Sequence, residues 1–334
     1  MQEANIPMRN IVSFLLLILA GTFPAFSQAS YLQNPDVKAF IDTFISKHGG
    51  SRSELEQLLQ IAQQQTQVLE AIARPAEKTH TWATYRPIFI QPTRITQGVD
   101  FWNQNQAILS KAEKQFGVPP AIIVGIIGVE TFYGRFTGKH PVFDSLTTLA
   151  FDYPPRSAFF RRQLEEFLLL SREESIQPTT VTGSYAGAMG IPQFIPSSYR
   201  HYAIDFDEDG RRDLLSNIDD VIGSVANYFS HHGWQKDKPV AEQLQIQDER
   251  YKPFIKKSLK PTITNAQLTS AGLQTHSASS TYTVMELAGT TGPELWIGHP
   301  NFYVITRYNH SHLYAMAVYQ LGQAIAKERT QTAR

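Results

Sequence analysis

Glu130 closes a run in which almost every side chain is apolar: Ile126, Ile127 and Val129 precede it, and Phe132 and Tyr133 follow. A carboxyl group in such surroundings loses solvation in its charged form, so its pKa is expected to rise towards neutrality. A general acid needs that property to protonate a leaving oxygen, as in cleavage of a glycosidic bond. Glu130 could instead cap a helix or pair with Arg135, the ordinary fate of a carboxylate, and helix context alone leaves both readings open. A second cluster comprises Asp205, Asp207 and Asp209, followed by Gly210. Acids at the first, third and fifth positions with a turn glycine at the sixth reproduce the first half of an EF-hand calcium loop. Ser216 stands at the twelfth, where a bidentate Glu is expected. A solvated acidic turn leading into a helix is the plainer alternative.

Other chemistries are excluded or weakened. The sequence has no cysteine, which removes disulfides, thiolate metal sites and a thiol nucleophile. The pairs His231 with His232 and His310 with His312 lack the intervening Glu of a hydrolytic zinc helix, and structural histidines are the better reading. Residues 183–190 are rich in glycine, but neither their spacing nor their ending fits a phosphate loop. Thirty basic residues balance thirty acidic ones, so no net field would attract nucleic acid. With 42% hydrophobic, 11% aromatic and 18% charged residues, the chain has the composition of a folded globular protein rather than a disordered one. Arg9, the apolar run from Ile11 to Ala20 and the small residues Ala25, Ser27 and Ala29 have the form of a secretory signal peptide. An uncleaved anchor is the alternative; a lipid anchor on cysteine is excluded by composition. The mature chain is expected to be exported and soluble.

The elements that must position these residues are mostly helices. Val37, Phe40, Ile41 and Phe44, then Leu55, Leu58, Leu59 and Ile61, recur at three and four residues, which predicts two helices broken at Gly49 and Gly50. A proline-containing stretch follows over 74–92. Helical spacing resumes over 101–116 and ends at Gly117. The next helix opens at Pro119 and Pro120, where a missing N–H costs nothing, and runs apolar on all sides to Glu130. Such a helix belongs at the centre of a fold. Further helices are predicted over 159–171, 219–231 and 312–326, and the alternation after Tyr282 predicts strands.

Four segments carry a resemblance to a known family. Val118-Pro-Pro-Ala-Ile-Ile-Val-Gly-Ile-Ile-Gly-Val-Glu130-Thr-Phe-Tyr-Gly-Arg135 resembles the catalytic segment of the membrane-bound lytic murein transglycosylase B family. Gly183-Ser-Tyr-Ala-Gly-Ala-Met-Gly190 with Gln193-Phe-Ile-Pro-Ser-Ser-Tyr199 resembles its second motif. Gly223-Ser-Val-Ala-Asn-Tyr-Phe229 with His232-Gly-Trp234 resembles the third, and residues 301–311 the last. The resemblance implies a lysozyme-like core in which Glu130 alone serves as acid and base and leaves 1,6-anhydro-N-acetylmuramic acid ends. It implies substrate contacts at Tyr85, Arg156, Ser184, Gln193, Phe194, Tyr308 and Asn309. Rings that stack on sugar faces and amides that satisfy sugar hydroxyls suit that task. Asp144 and Asp152, the next acids along the chain, are read as structural. For the acidic loop, the resemblance implies a longer calcium loop closed by Asp219, with Asp205, Asp207, Asp209 and the Arg211 carbonyl as the other ligands. The calcium would be structural, and no cofactor would serve catalysis.

The expected fold is therefore mainly α (α+β), with a lysozyme-like core, an N-terminal helical region and a small β-containing insertion. The expected divisions are a signal peptide over 1–29, a helical region over 30–116, the core over 117–237, the insertion over 238–300 and a returning segment over 301–334. The expected partner is the peptidoglycan glycan strand, with no nucleic acid and no lipid anchor, and with room for other cell-wall enzymes. A hydrolytic muramidase of the same fold, or a non-catalytic peptidoglycan-binding calcium scaffold, are the competing readings.

Overall fold

Asn34 starts the first helix by accepting the N–H of Asp36 at 2.9 Å, with Pro35 in the first turn. In this computed structural model, which describes residues 30–73, 80–246, 248–255, 258–276 and 278–332, α1 (Pro35–His48) ends at Gly49 with φ +64°. The N-terminal apolar run lies outside the described residues. Three helices form where the spacing predicts two, because α2 (Arg52–Ile61) is followed by α3 (Thr66–Ala73). The break between them is held from another helix: the Gln63 N–H donates to Asp144 Oδ1 at 3.1 Å and the Gln65 N–H to Thr148 Oγ1 at 2.9 Å. Free backbone donors are thus satisfied by distant side chains, which local spacing does not reveal.

The proline-containing stretch also departs from expectation. It includes α4 (Trp82–Phe89), which runs through Pro87 and opens with a reciprocal Thr81–Thr84 capping box. The helix expected over 101–116 is two, α5 (Pro92–Gln104) and α6 (Gln106–Phe116), broken at Asn105, whose side chain donates to the Phe101 carbonyl at 2.8 Å. Then α7 (Pro120–Thr131) crosses the interior with every residue but Glu130 buried. A two-residue strand, β1 (His140–Pro141), leads into α8 (Val142–Asp152) and α9 (Ser157–Glu173), and pairs antiparallel with β2 (Thr182–Gly183). Next come α10 (Pro196–Tyr202) and α11 (Ile218–His231).

The strands predicted after Tyr282 form a sheet. β3 (Ala241–Gln243) and, after the short α12 (Asn265–Ser270), β4 (Thr283–Gly289) both pair antiparallel with β5 (Gly292–Gly298), in the order β3-β5-β4. One face of this sheet has a small core of its own, with Leu244, Ile263, Leu268, Tyr282 and Ile297. Met285 and Leu287 belong to the main core instead. Asn301, fully buried, joins the two ends of the excursion: Oδ1 accepts the Gln235 N–H at 2.8 Å, and Nδ2 donates to the carbonyls of Gln235 at 2.8 Å and Lys238 at 3.0 Å. The chain then returns through α13 (Pro300–Thr306) and α14 (His312–Thr332).

α14 lies directly on α7. A Cβ on Gly125 would stand 2.7 Å from the Val318 carbonyl oxygen, and one on Gly322 only 2.2 Å from that of Ala121. Backbone meets backbone there, and only glycine permits it. No single helix among the described residues is long and apolar enough to cross a membrane.

Candidate active site

Glu130 is the penultimate residue of α7, and the helix stops abruptly behind it. Phe132 and Tyr133 both take left-handed conformations, φ +52° and +61°. Their N–H groups return to the carbonyls of Gly128 and Ile127, each at 3.2 Å. Thr131 fixes the glycine-rich loop against this end: its hydroxyl donates to the Ile191 carbonyl at 2.8 Å and accepts the Gly134 N–H at 3.0 Å.

The closeness of α7 and α14 brings Tyr314 to the carboxyl group, and its phenol donates to Glu130 Oε1. Tyr308 lies nearly parallel to Tyr314, with centroids 6.5 Å apart and planes at 14°, and donates to the Pro192 carbonyl at 2.6 Å. Burial, and after it the charge of Glu130, pushes both phenols well above their ordinary pKa. They therefore keep their protons and act as donors. Sequence reasoning missed Tyr314: an aromatic on an apolar helix face is indistinguishable from ordinary core until the helix it meets is known.

The other expected site residues are distributed unequally. Tyr85, buried on α4 with its ring 5.0 Å from that of Phe89, is near enough to add to the rise at Tyr314. Phe194 is 2% exposed and backs Tyr308 at 5.7 Å. Asn309 follows Tyr308 directly, its carbonyl taken by the Ser311 N–H at 2.7 Å. The Ser184 hydroxyl accepts the N–H groups of Ala186 at 3.2 Å and Ala188 at 3.0 Å. With both lone pairs used, its hydrogen is left to donate. Gln193 uses its amide donor atom on the carbonyls of Thr137 at 2.9 Å and Gly190 at 2.8 Å, which leaves its oxygen as an acceptor. Arg156 is exposed at the start of α9, its guanidinium 4.5 Å from the ring centre of Phe159 and 5.2 Å from that of Phe160.

Asp144 and Asp152 face the N-terminal helices. Asp144 holds the α2–α3 break, and Asp152 accepts the Tyr31 phenol at 2.6 Å and the Gln64 amide at 2.8 Å. Both carboxyl groups are thus engaged with the N-terminal segment.

The carboxylates of Asp205, Asp207 and Asp209 have oxygens within 4.8 Å of one another. Asp219 does not join that group as expected. Asn217 contacts the group instead: its amide nitrogen donates to Asp207 Oδ2 at 2.9 Å while its oxygen caps α11. That contact holds the Asp207 carboxyl below its usual range. The neighbour of Asp219, overlooked in the sequence, anchors the loop. Asp220 is fully buried and accepts the N–H groups of Phe206 and Asp213, each at 2.7 Å.

A carboxyl on a buried helix, a phenol hydrogen-bonded to it, and aromatic and amide groups around it, all on a mainly helical core, define a lysozyme-like enzyme that cleaves glycans. The chain belongs to the family described as Transglycosylase SLT domain, which it matches over residues 33–323. It is 43% identical over 313 residues to membrane-bound lytic murein transglycosylase B of Escherichia coli, covering 90% of this chain and 85% of that one. Soluble lytic transglycosylase SltB1 of Pseudomonas aeruginosa superposes with a TM-score of 0.85 at 49% identity, over 89% of this chain and 100% of that one. The E. coli lytic transglycosylase Slt35 in complex with calcium does so at 0.83 and 45%, over 89% and 95%. The activity is that of a peptidoglycan lytic transglycosylase.

Proposed function

We propose that Glu130 performs both proton transfers of the reaction. Protonated on the oxygen that Tyr314 does not engage, it gives its proton to the glycosidic oxygen between N-acetylmuramic acid and N-acetylglucosamine. The bond from that oxygen to C1 of the muramoyl residue breaks. The resulting carboxylate accepts the proton of the same sugar's 6-hydroxyl, whose oxygen closes on C1. A 1,6-anhydro end forms, no water is consumed and the enzyme regains its proton. The observation that carries this reading is the Tyr314 hydrogen bond to a carboxyl in the last turn of an otherwise buried helix. Glu130→Gln should retain the fold and murein binding and lose turnover by several orders of magnitude. Mass spectrometry of the remaining products checks the chemistry: anhydro ends are about 18 mass units lighter than hydrolysed ones because water is not added. Normal turnover in the variant, or reducing ends alone, would refute the assignment.

In the same reading Ser184, through its free hydroxyl hydrogen, and Gln193, through its amide oxygen, contact the glycan, with Tyr85, Phe194, Tyr308 and Asn309 shaping the groove and Arg156 at its margin. The acidic loop offers hard oxygen donors that fit calcium. Asp205, Asp207 and Asp209 would hold the ion, joined by the Arg211 carbonyl and by Asp219. The ion's part is structural. Export to the periplasm, with the leader removed, places the enzyme with its substrate. The separate core of the sheet supports reading 238–300 as an insertion between a catalytic core over 117–237 and a returning segment over 301–334, preceded by a helical region over 30–116.

A further inference from the structure

Phe132 and Tyr133 occupy a conformation that bulky L-residues disfavour and keep only where their surroundings impose it. Arg94, on α5, meets both. Its Nη1 donates to the Gly128 carbonyl in the last turn of α7, and its guanidinium lies 4.5 Å from the ring centre of Phe132 and 5.4 Å from that of Phe89. Its own carbonyl accepts the Tyr133 phenol at 2.8 Å. One residue thereby holds the carbonyl two positions before Glu130, the ring two positions after it, and the phenol one position beyond that.

The space for Tyr133 is made by two glycines. A Cβ on Gly98 would stand 2.4 Å from the phenol oxygen, and one on Gly128 would stand 2.7 Å from it. The ring is stacked on Phe101 at 5.6 Å. Arg94 itself is held at a cost. It is half-buried, forms no ion pair with a carboxylate among the described residues, and its buried Nε has no hydrogen-bond partner among them. A Met or Leu would fill the same volume without desolvating a charge. Packing alone does not account for an arginine here, whereas a long planar donor reaching both a helix-end carbonyl and an aromatic face does.

We propose that Arg94 is a positioning residue: with Tyr133 it latches the left-handed turn and so fixes the direction in which the Glu130 carboxyl leaves α7. The proposal rests on the reading of Glu130 as acid and base. Proton transfer to a glycosidic oxygen tolerates little displacement, and an error near 1 Å costs on the order of a hundredfold in rate. Releasing the latch lets the turn relax towards ordinary backbone angles and carries the carboxyl away from the oxygen.

The test uses the purified chain acting on murein, with Arg94→Met, Arg94→Lys, Tyr133→Phe and Glu130→Gln compared at one temperature well below every Tm. Arg94→Met should lower kcat by roughly tenfold to a hundredfold with KM for murein changed less than about twofold. Arg94→Lys, which keeps a cationic donor within reach of the Gly128 carbonyl, should recover a large part of that loss. Tyr133→Phe should lose a few-fold in kcat alone. Wild-type kcat in Arg94→Met, or a loss that vanishes on correction for folded fraction by circular dichroism, would overturn the latch and leave Glu130 in place. Normal turnover by Glu130→Gln would overturn both.

Discussion

At the scale of single residues, the site depends on one hydrogen bond made between two helices far apart in sequence. Tyr314→Phe removes that donor and changes little else in shape. A hydrogen bond to a charged group contributes about 1.5–3 kcal/mol. The variant should therefore lose roughly tenfold to a hundredfold in kcat, while the melting temperature moves by only a few degrees. Unchanged kcat in steady-state assays on murein would mean that Tyr314 packs beside Glu130 without assisting it. Glu130 stood out as a candidate because the motif around it resembles a family's catalytic segment; the apolar helix leading to it left a capping or ion-paired carboxylate equally open. Tyr314 was not, because its partner lies 184 residues away. Asp220 was missed for a related reason: next to Asp219, only its burial marks it as the residue that holds the loop.

Elements set these residues in place, and α7 with α14 matters most. Gly125→Ala places a Cβ 2.7 Å from a backbone oxygen that cannot step aside, so the two helices must separate. Overpacking of this kind costs about 1–3 kcal/mol. The shift should also draw Tyr314 away from Glu130, lowering Tm and kcat together; a variant with lower Tm and intact kcat would show that the contact tolerates the separation. The long buried helices were predictable from periodicity. The short elements were not: α4 passes through a proline because its capping box and packing override it, and the α2–α3 break exists because α8 satisfies its donors. In the acidic loop, calcium should raise Tm by mass action, about 3 kcal/mol at a hundredfold excess over its Kd. Asp209→Ala should abolish that rise. Asp219→Ala tests whether Asp219 is a ligand, because a full calcium response in that variant would leave the ion to the three clustered aspartates.

Acid should unsettle the molecule as a whole. Burial lowers the pKa of His232, His299 and His312. For each, the unfolded chain takes up a proton near its ordinary value of about 6.5 while the folded chain resists. Stability is therefore complete above about pH 6.5 and is lost as pH falls through the lowered folded values. His312 is the clearest probe, since its ring packs on Phe302 and its buried Nε2 has no partner among the described residues. Thermal melts between pH 7 and pH 5 should fall less steeply for His312→Leu than for the wild type; parallel curves would exclude His312 as a source of the acid sensitivity.

Asn301 gives the sheet an unusual standing in this architecture. Because its side chain brings Gln235 and Lys238 to the start of α13, the two ends of some sixty residues are held side by side where the chain leaves and rejoins the helices. To the rest of the chain such an excursion is a tether of adjustable length, and closing a tether twice as long costs only about 0.6 kcal/mol more. Lineages could enlarge, trim or redecorate it with little penalty to folding, so long as Met285 and Leu287 keep their places in the main core. The sheet is where this architecture can acquire new recognition while the candidate site around Glu130 stays as it is.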